Sequence, residues 1–363
     1  MILVCECCKR SYENEQDLLK GTACFKVSSD NHLWFECSCK SCLVLAPGEY
    51  DWYKPENFMS DKTKSVFKRI TELKELPRLS SDIMTIQKML NSENAHAGLL
   101  EKEIKKVPPV ALSIIEIADQ MAVANKITSL QHAISYIGLN RLKEIIYLAG
   151  IQACKFHTPT FDQSAFWKDS YVAGLVAEYL AKKWLPDEKE KIEQAYFAAS
   201  LANIGKLVSA FLFPEPLGDV VQTLNTPGCN QLWSELEEEH NLPDHTVLGE
   251  IAGVLWGLPF YAIRTIRFHN VTPEEFREDS QGEVVMFGDA DNLDQDDEKI
   301  SLHDIVCISL QYTHWISGSP YRINQLVLDK FLQKLGFDEK AKDSLGTELS
   351  DYYRSALNST KGG

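Results

Sequence analysis

Positive charge is in short supply in this sequence. Thirty-seven Lys and Arg stand against 52 Asp and Glu, a formal net charge of −15. Non-specific binding to nucleic acid needs a basic surface that displaces counterions, so the balance argues against that partner, a local basic patch aside. Long apolar runs are lacking too: none approaches the roughly 18 residues that span a bilayer. The opening "MILVCECCKR" has no basic segment followed by a long apolar stretch, so it does not read as a secretory signal. A cytoplasmic address with no membrane partner is the expectation. Strand–helix alternation is absent, which argues against a parallel sheet. Cysteine is sparse over most of the chain. Beyond residue 43 only Cys154, Cys229 and Cys307 occur, and isolated cysteines in a reducing compartment are usually small buried apolar residues.

What is present is unevenly distributed. Seven of the ten cysteines lie before residue 43. "CECCKRSY" and "FECSCKSCLVL" contain two CxxC pairs, Cys5 with Cys8 and Cys39 with Cys42. Two such knuckles can place four thiolates at the corners of a tetrahedron, which Zn²⁺ accepts. Cys7, Cys24 and Cys37 are alternative ligands. "TACFKV" and "HLWFEC" have β-forming content, and "SSDN" between them supplies a turn. The expected shape is a small β zinc ribbon over residues 1–45, with structural zinc supplying stability that so small a core lacks. Its acidic stretch "SYENEQDLLK" favours docking or support over DNA.

The 363 residues, 44% hydrophobic and 25% charged, suit a globular chain of two or three domains. Residues 46–65, with two prolines and a glycine, read as a linker. Helical spacing follows from about residue 66. "SSDIMTIQKMLNS" opens on a Ser/Asp cap, and "PPVALSIIEIADQM" has proline at its start. "ASLANIGKLVSAFL" reads as the interior of a buried helix, with Gly205 permitting close approach. The expected fold class is mostly α: an all-α body over 66–345 and a C-terminal tail over 346–363, after the ribbon and linker. The acid-rich stretch 287–304 fails the EF-hand spacing and reads as a solvated loop.

Four segments, in order, resemble the HDOD family, the HD-related output domain of a phosphohydrolase-like superfamily. "SLQHAISYIGLNRLKEIIYLA" carries Ala133, Ile134, Ile137, Gly138, Arg141 and Leu142. "FWKDSYVAGLVAEYLA" carries Trp167, Ser170 and Ala173. "ASLANIGKLV" resembles a block that in many members reads Leu-His-Asp-Ile-Gly-Lys. "DHTVLGEIAGVLWGLPFYAIRTIRFHN" carries His245, Gly249, Trp256, Leu258, Pro259 and His269. The resemblance extends over about residues 66–320 and implies an HD-superfamily-like helical body.

The superfamily's enzymes hold one or two metals through His and Asp. By the resemblance, the first His position holds Asp169, the His-Asp pair is Ala202 and Asn203, and the closing His pair is His269 and Asn270. The terminal helix offers Gln311 in place of Asp. Alanine has no lone pair, and a neutral amide is a poor substitute for a bridging carboxylate. His245 and His269 remain; each also reads as an ordinary helix-terminal histidine. The expected function is therefore non-catalytic: a degenerate phosphohydrolase-type fold acting as a signalling or scaffold module for a protein partner. A second expectation is nucleotide sensing in the former cleft, with Lys206, Arg264 and Arg267 as phosphate contacts. A third is a hydrolase with rearranged ligands: Asp169, His245, His269 and Asp304.

Overall fold

A computed structural model describes residues 3–5, 7–13, 18, 22–27, 33–37, 39, 42–45, 66, 76–90, 96–121, 127, 129–273, 300–318 and 323–361. The linker and residues 287–299 of the acid-rich stretch lie outside the described residues. The architecture is mostly α with a small N-terminal β region, as the sequence leads one to expect.

At the N-terminus, β1 (Leu3–Val4) pairs antiparallel with β2 (Ser11–Tyr12). A three-stranded antiparallel meander follows: β3 (Thr22–Val27), β4 (Leu33–Cys37) and β5 (Cys42–Leu45), with an irregularity between Cys24 and Lys26.

The chain divides into two compact units. One is Leu76–His157; the other combines Met1–Glu75 with Thr158–Gly363. The helical body read as one stretch from the sequence is thus split near residue 157. The first unit holds α1 (Ser81–Leu90), α2 (Ala97–Ile104), α3 (Pro108–Met121), α4 (Leu130–Ile137) and α5 (Leu139–Gln152). Ser80 Oγ accepts the Ile83 N–H and Ser129 accepts the His132 N–H, each satisfying an orphan donor at a helix start. Gly138, at φ 81°, turns the chain between α4 and α5 in a conformation that β-carbons disfavour.

The second unit holds α6 (Gln163–Trp184), α7 (Lys189–Leu201), α8 (Ile204–Leu212), α9 (Pro214–Leu224), α10 (Trp233–Glu239), α11 (His245–Trp256), α12 (Phe260–Phe268), α13 (Leu302–Ser317), α14 (Gln325–Lys334) and α15 (Glu339–Lys361). The core is built on α6, α7 and α13. Small residues line the α6–α7 contact: Ala173, Ala177 and Ala181 pack in one cluster with Ala195, Ala198 and Ala202. At Gly174 a β-carbon would come within 2.4 Å of Ser200 Oγ. Ile305, Ile308, Phe331 and Leu349 close the cluster from α13, α14 and α15.

Two sequence expectations change here. Residues 346–361 are not a separate tail but the continuation of α15, whose Leu345, Leu349 and Tyr353 are buried at helical spacing. Ala202 and Asn203 are not mid-helix; they form the turn between α7 and α8. The run Lys189–Leu212 has the length and apolarity of a membrane span, but 89% of its window is buried inside the protein, as in a globular core helix.

Candidate functional site

The site is built where α8, α11 and α12 cross. A β-carbon at Gly205 would lie 1.7 Å from the His245 carbonyl oxygen, so α8 touches the backbone of α11 directly. The reciprocal glycine, Gly249, has room for a β-carbon only at 2.5 Å from Ile266 Cγ2 on α12. This three-helix contact brings His245, at the start of α11, close to His269 and Asn270, just past the end of α12.

His245 is not the surface or capping residue that its position at a helix start suggests. The cap is its neighbour Asp244, whose Oδ1 accepts the Thr246 N–H at 2.7 Å. His245 itself is 1% exposed. Its Nδ1 lies 2.8 Å from Glu237 Oε2, and its backbone N–H donates to the same oxygen at 3.2 Å. Glu237, also 1% exposed, accepts the Trp233 Nε1–H through Oε1 at 2.7 Å. A carboxylate only accepts, so the imidazole proton sits on Nδ1. That makes Nε2 an acceptor, and Asn270 Nδ2 donates to it at 3.1 Å. Both ring nitrogens of His245 are thereby committed.

His269 is 1% exposed, with its ring centroid 5.3 Å from that of His245. Its Nδ1 donates to the Ile266 carbonyl at 2.8 Å. Its Nε2 is buried and has no hydrogen-bond partner among the described residues. Burial holds its pKa well below the usual imidazole range, and the neighbouring His245 pushes in the same direction. Lys206, one residue past Gly205, is 3% exposed, with Nζ 4.9 Å from the centre of the Trp233 ring. Burial lowers its pKa to about 8, against the charges of Glu237 and Asp169, which raise it. Asp169, half-buried on α6, is thus electrostatically part of this cluster, as is His314 on α13, whose pKa falls to about 3 through desolvation and the Lys206 charge.

Lys206 supplies a pH prediction. Between its folded pKa near 8 and the usual 10.5, the unfolded chain binds the proton and the folded chain does not. This group's contribution to stability therefore rises with pH across that window; below about 8 its full cost is present. Denaturation midpoints at pH 7.5 and 10 should separate the wild type from Lys206→Met, which loses the rise. Equal pH responses would contradict the assignment.

The other residues singled out from sequence have different surroundings. Arg267 places Nε 3.3 Å from Glu250 Oε2 and donates from Nη1 to Thr246 Oγ1 at 3.1 Å, tying α12 to α11. Arg264 acts instead on His303, whose pKa falls to about 3 by burial and then by the Arg264 and Lys334 charges. Asp304 forms a capping box with Ser301 and an ion pair with Lys334 at 2.7 Å. Gln311 accepts the Asn324 N–H at 2.7 Å. Trp233, Glu237 and Asp244 were not legible from sequence; Glu237 stands in "SELEEEH", where nothing marks one acid as buried.

Among the described residues, two groups of side chains have the spacing to hold a metal ion. Glu237, Asp244 and His245 have donor atoms within 4.8 Å of one another, but these atoms already accept or donate at the start of α11 as described. At the N-terminus Cys5, Cys8 and Cys39 form the second group, so three of the four expected zinc ligands come together. The side chain of Cys42 lies outside the described residues.

A family model for the HDOD domain matches residues 76–272, more than half of the chain. Among solved structures, an HDOD domain protein with unknown function from Geobacter sulfurreducens is similar with TM-score 0.57 at 15% identity, over 81% of this chain and 95% of that one. A provisionally named phosphohydrolase from Shewanella amazonensis SB2B is similar with TM-score 0.54 at 16% identity, over 81% of this chain and 99% of that one. A provisionally named signal transduction protein from Marinobacter aquaeolei VT8 gives TM-score 0.50 at 16% identity, over 89% and 73%. At these identities the likeness is one of fold. No curated protein matches the sequence.

Proposed function

Because the chain belongs to the HDOD domain family, and because Ala202 and Asn203 offer a metal neither imidazole nor carboxylate, we propose that it is a non-catalytic signalling module whose helical body binds a protein partner. One observation carries this reading: both ring nitrogens of His245 are hydrogen-bonded within the protein, Nδ1 to Glu237 and Nε2 to Asn270. A hydrolytic metal site must hold its ion through several anionic or imidazole ligands and lower the pKa of a bound water. Here an ion would have to displace the half-buried Asn270 amide, and break its hydrogen bond, to reach His245. The name of the Marinobacter neighbour is consistent with signalling. The proposed address is the cytoplasm, and the N-terminal cysteines are assigned a structural zinc.

The rearranged hydrolase is supported less well. Asp304 is held by its capping box and Lys334, so of the four ligands considered Asp169 and His269 remain. Nucleotide sensing is also weaker than it looked, since the Arg267 guanidinium faces Glu250 and Thr246. The test uses the full chain. With Mn²⁺, Fe²⁺ or Zn²⁺ added, no turnover of phosphodiester substrates is expected, and His269→Ala should match the wild type. Cross-linking in native extract at physiological salt should return one reproducible protein partner. Metal-dependent turnover that disappears in His269→Ala would reverse the reading. A nucleotide panel that raises Tm, with loss of the effect in Lys206→Ala, would favour sensing instead.

A further inference from the structure

The helical site makes no use of the N-terminal cysteines, and their geometry says more than that a metal can bind. The tip of the first hairpin is closed by hydrogen bonds to Cys5 from its far side. The Cys5 N–H donates to the Arg10 carbonyl at 2.8 Å, and the Lys9 N–H donates to the Cys5 carbonyl at 2.8 Å. Lys9 completes the turn at φ 61°. Among the described residues only one other non-glycine, Asn241, has positive φ. A lysine gains nothing from the left-handed region by itself, and such strain persists where surrounding structure holds it. What the turn achieves is to bring Cys5 and Cys8 to one side.

Cys39 comes to the same place from a second hairpin. The Sγ atoms of Cys5 and Cys39 lie 3.6 Å apart, and all three sulfurs are within 4.8 Å of one another. Four sulfurs at the usual zinc–sulfur length of roughly 2.3 Å would be about 3.8 Å apart at the edges of their tetrahedron. The spacing is therefore that of ligands around a common centre, far longer than a disulfide. Cys39 stands between β4 and β5, and Cys42, three residues on, begins β5 opposite Glu36. The second CxxC thus repeats the spacing of the first across a second hairpin tip. Each pair also carries a lysine directly after a cysteine, Lys9 after Cys8 and Lys40 after Cys39.

Before residue 46, the buried apolar side chains among the described residues are Leu3, Cys5, Tyr12, Leu18 and Leu43. An ion held by Cys5, Cys8 and Cys39 would link the first hairpin to the second, and metal binding of that kind is coupled to folding. We propose that Cys5, Cys8, Cys39 and Cys42 form a four-thiolate metal site whose occupation is the condition for both N-terminal hairpins to form, with the exposed Cys7 standing outside it. This rests on the zinc reading above and adds the ligand set and the coupling to folding. Binding forms four metal–sulfur bonds and releases four protons to solvent; no sulfur changes oxidation state, so no oxidant is required.

The experiment measures zinc in the full chain, cobalt-substituted absorption spectra, and protease sensitivity before residue 46 with and without chelator. About one zinc per chain is expected in the wild type and in Cys7→Ser, with tetrathiolate cobalt bands. Cys42→Ser should weaken binding at least tenfold and lose those bands. Chelation should open residues 1–45 to protease while the helical circular dichroism persists. A wild-type chain that takes up no zinc or cobalt would remove the zinc reading itself. Retention of metal by Cys42→Ser, or its loss in Cys7→Ser, would leave zinc in place and overturn the ligand set. Protease resistance before residue 46 in the chelated chain would overturn the coupling to folding.

Discussion

Gly205→Ala should destabilise the protein by about 3 kcal/mol or more, opposite in sign to the ordinary effect of that exchange. In a helix interior alanine is favoured over glycine by about 1 kcal/mol. At this position the added methyl would meet the His245 carbonyl oxygen at 1.7 Å and the Gly249 N at 2.8 Å. Both are backbone atoms, so relief requires α8 and α11 to move apart, and every residue of α8 is buried. Overpacking a core costs about 1–3 kcal/mol when side chains can shift, and more when only a helix can. Gly249→Ala is the internal control, because its nearest contact is the Ile266 Cγ2 methyl at 2.5 Å, the end of a side chain that can rotate. Its loss should be nearer 1–2 kcal/mol. Urea midpoints followed by tryptophan fluorescence, which Trp233 and Trp256 report from this unit, give the comparison. A Gly205→Ala protein as stable as wild type would mean that the helix crossing is not as close as described, and the placement of His245 would fall with it.

Gly205 also shows what was legible in the sequence. A glycine inside an apolar helical run signals close approach, and that reading needs no knowledge of the partner. The helical class, the N-terminal strands and the family resemblance followed from periodicity and ordered motifs in the same way. What the sequence concealed was pairwise. His245 follows an Asp and precedes a helical run, which is the pattern of a cap; that Asp244 would take the capping role and turn His245 inward depends on Glu237, eight residues upstream. Glu237 sits among other acids in a short helix, and only tertiary packing selects which of them is buried. Arg264 and Arg267 share a helical face by spacing, yet Arg267 meets Glu250 and Arg264 acts on His303, because different helices pack along that face. The break at Ala202 and Asn203 was hidden for a related reason: alanine favours a helix and asparagine a turn, and the packing of α7 and α8 decides.

Removing the Glu237 carboxylate should be the second large effect. Glu237→Ala leaves the Trp233 Nε1–H, the His245 backbone N–H and the His245 Nδ1–H without their acceptor in a buried site. Unsatisfied buried donors cost about 1–3 kcal/mol each, with partial relief as the structure relaxes, so a total near 4 kcal/mol is expected. Glu237→Gln is more informative. Oε2 accepts twice from His245 and Oε1 once from Trp233, so the Gln oxygen takes the Oε2 place and its NH₂ meets the Trp233 Nε1–H. The loss should then be that of one unsatisfied buried donor, about 1–3 kcal/mol. Trp233→Phe removes that donor, so a double-mutant cycle of Glu237→Gln with Trp233→Phe should give a coupling of about 1–2 kcal/mol in favour of the pair. Imidazole ¹⁵N spectra should report the Nδ1–H tautomer both in wild type and in the Gln variant, because the oxygen facing Nδ1 is kept. An Nε2–H tautomer in the wild type would mean that Glu237 does not set the proton on His245. Nε2 would then not accept from Asn270, and the strongest support for a metal-free site would be lost.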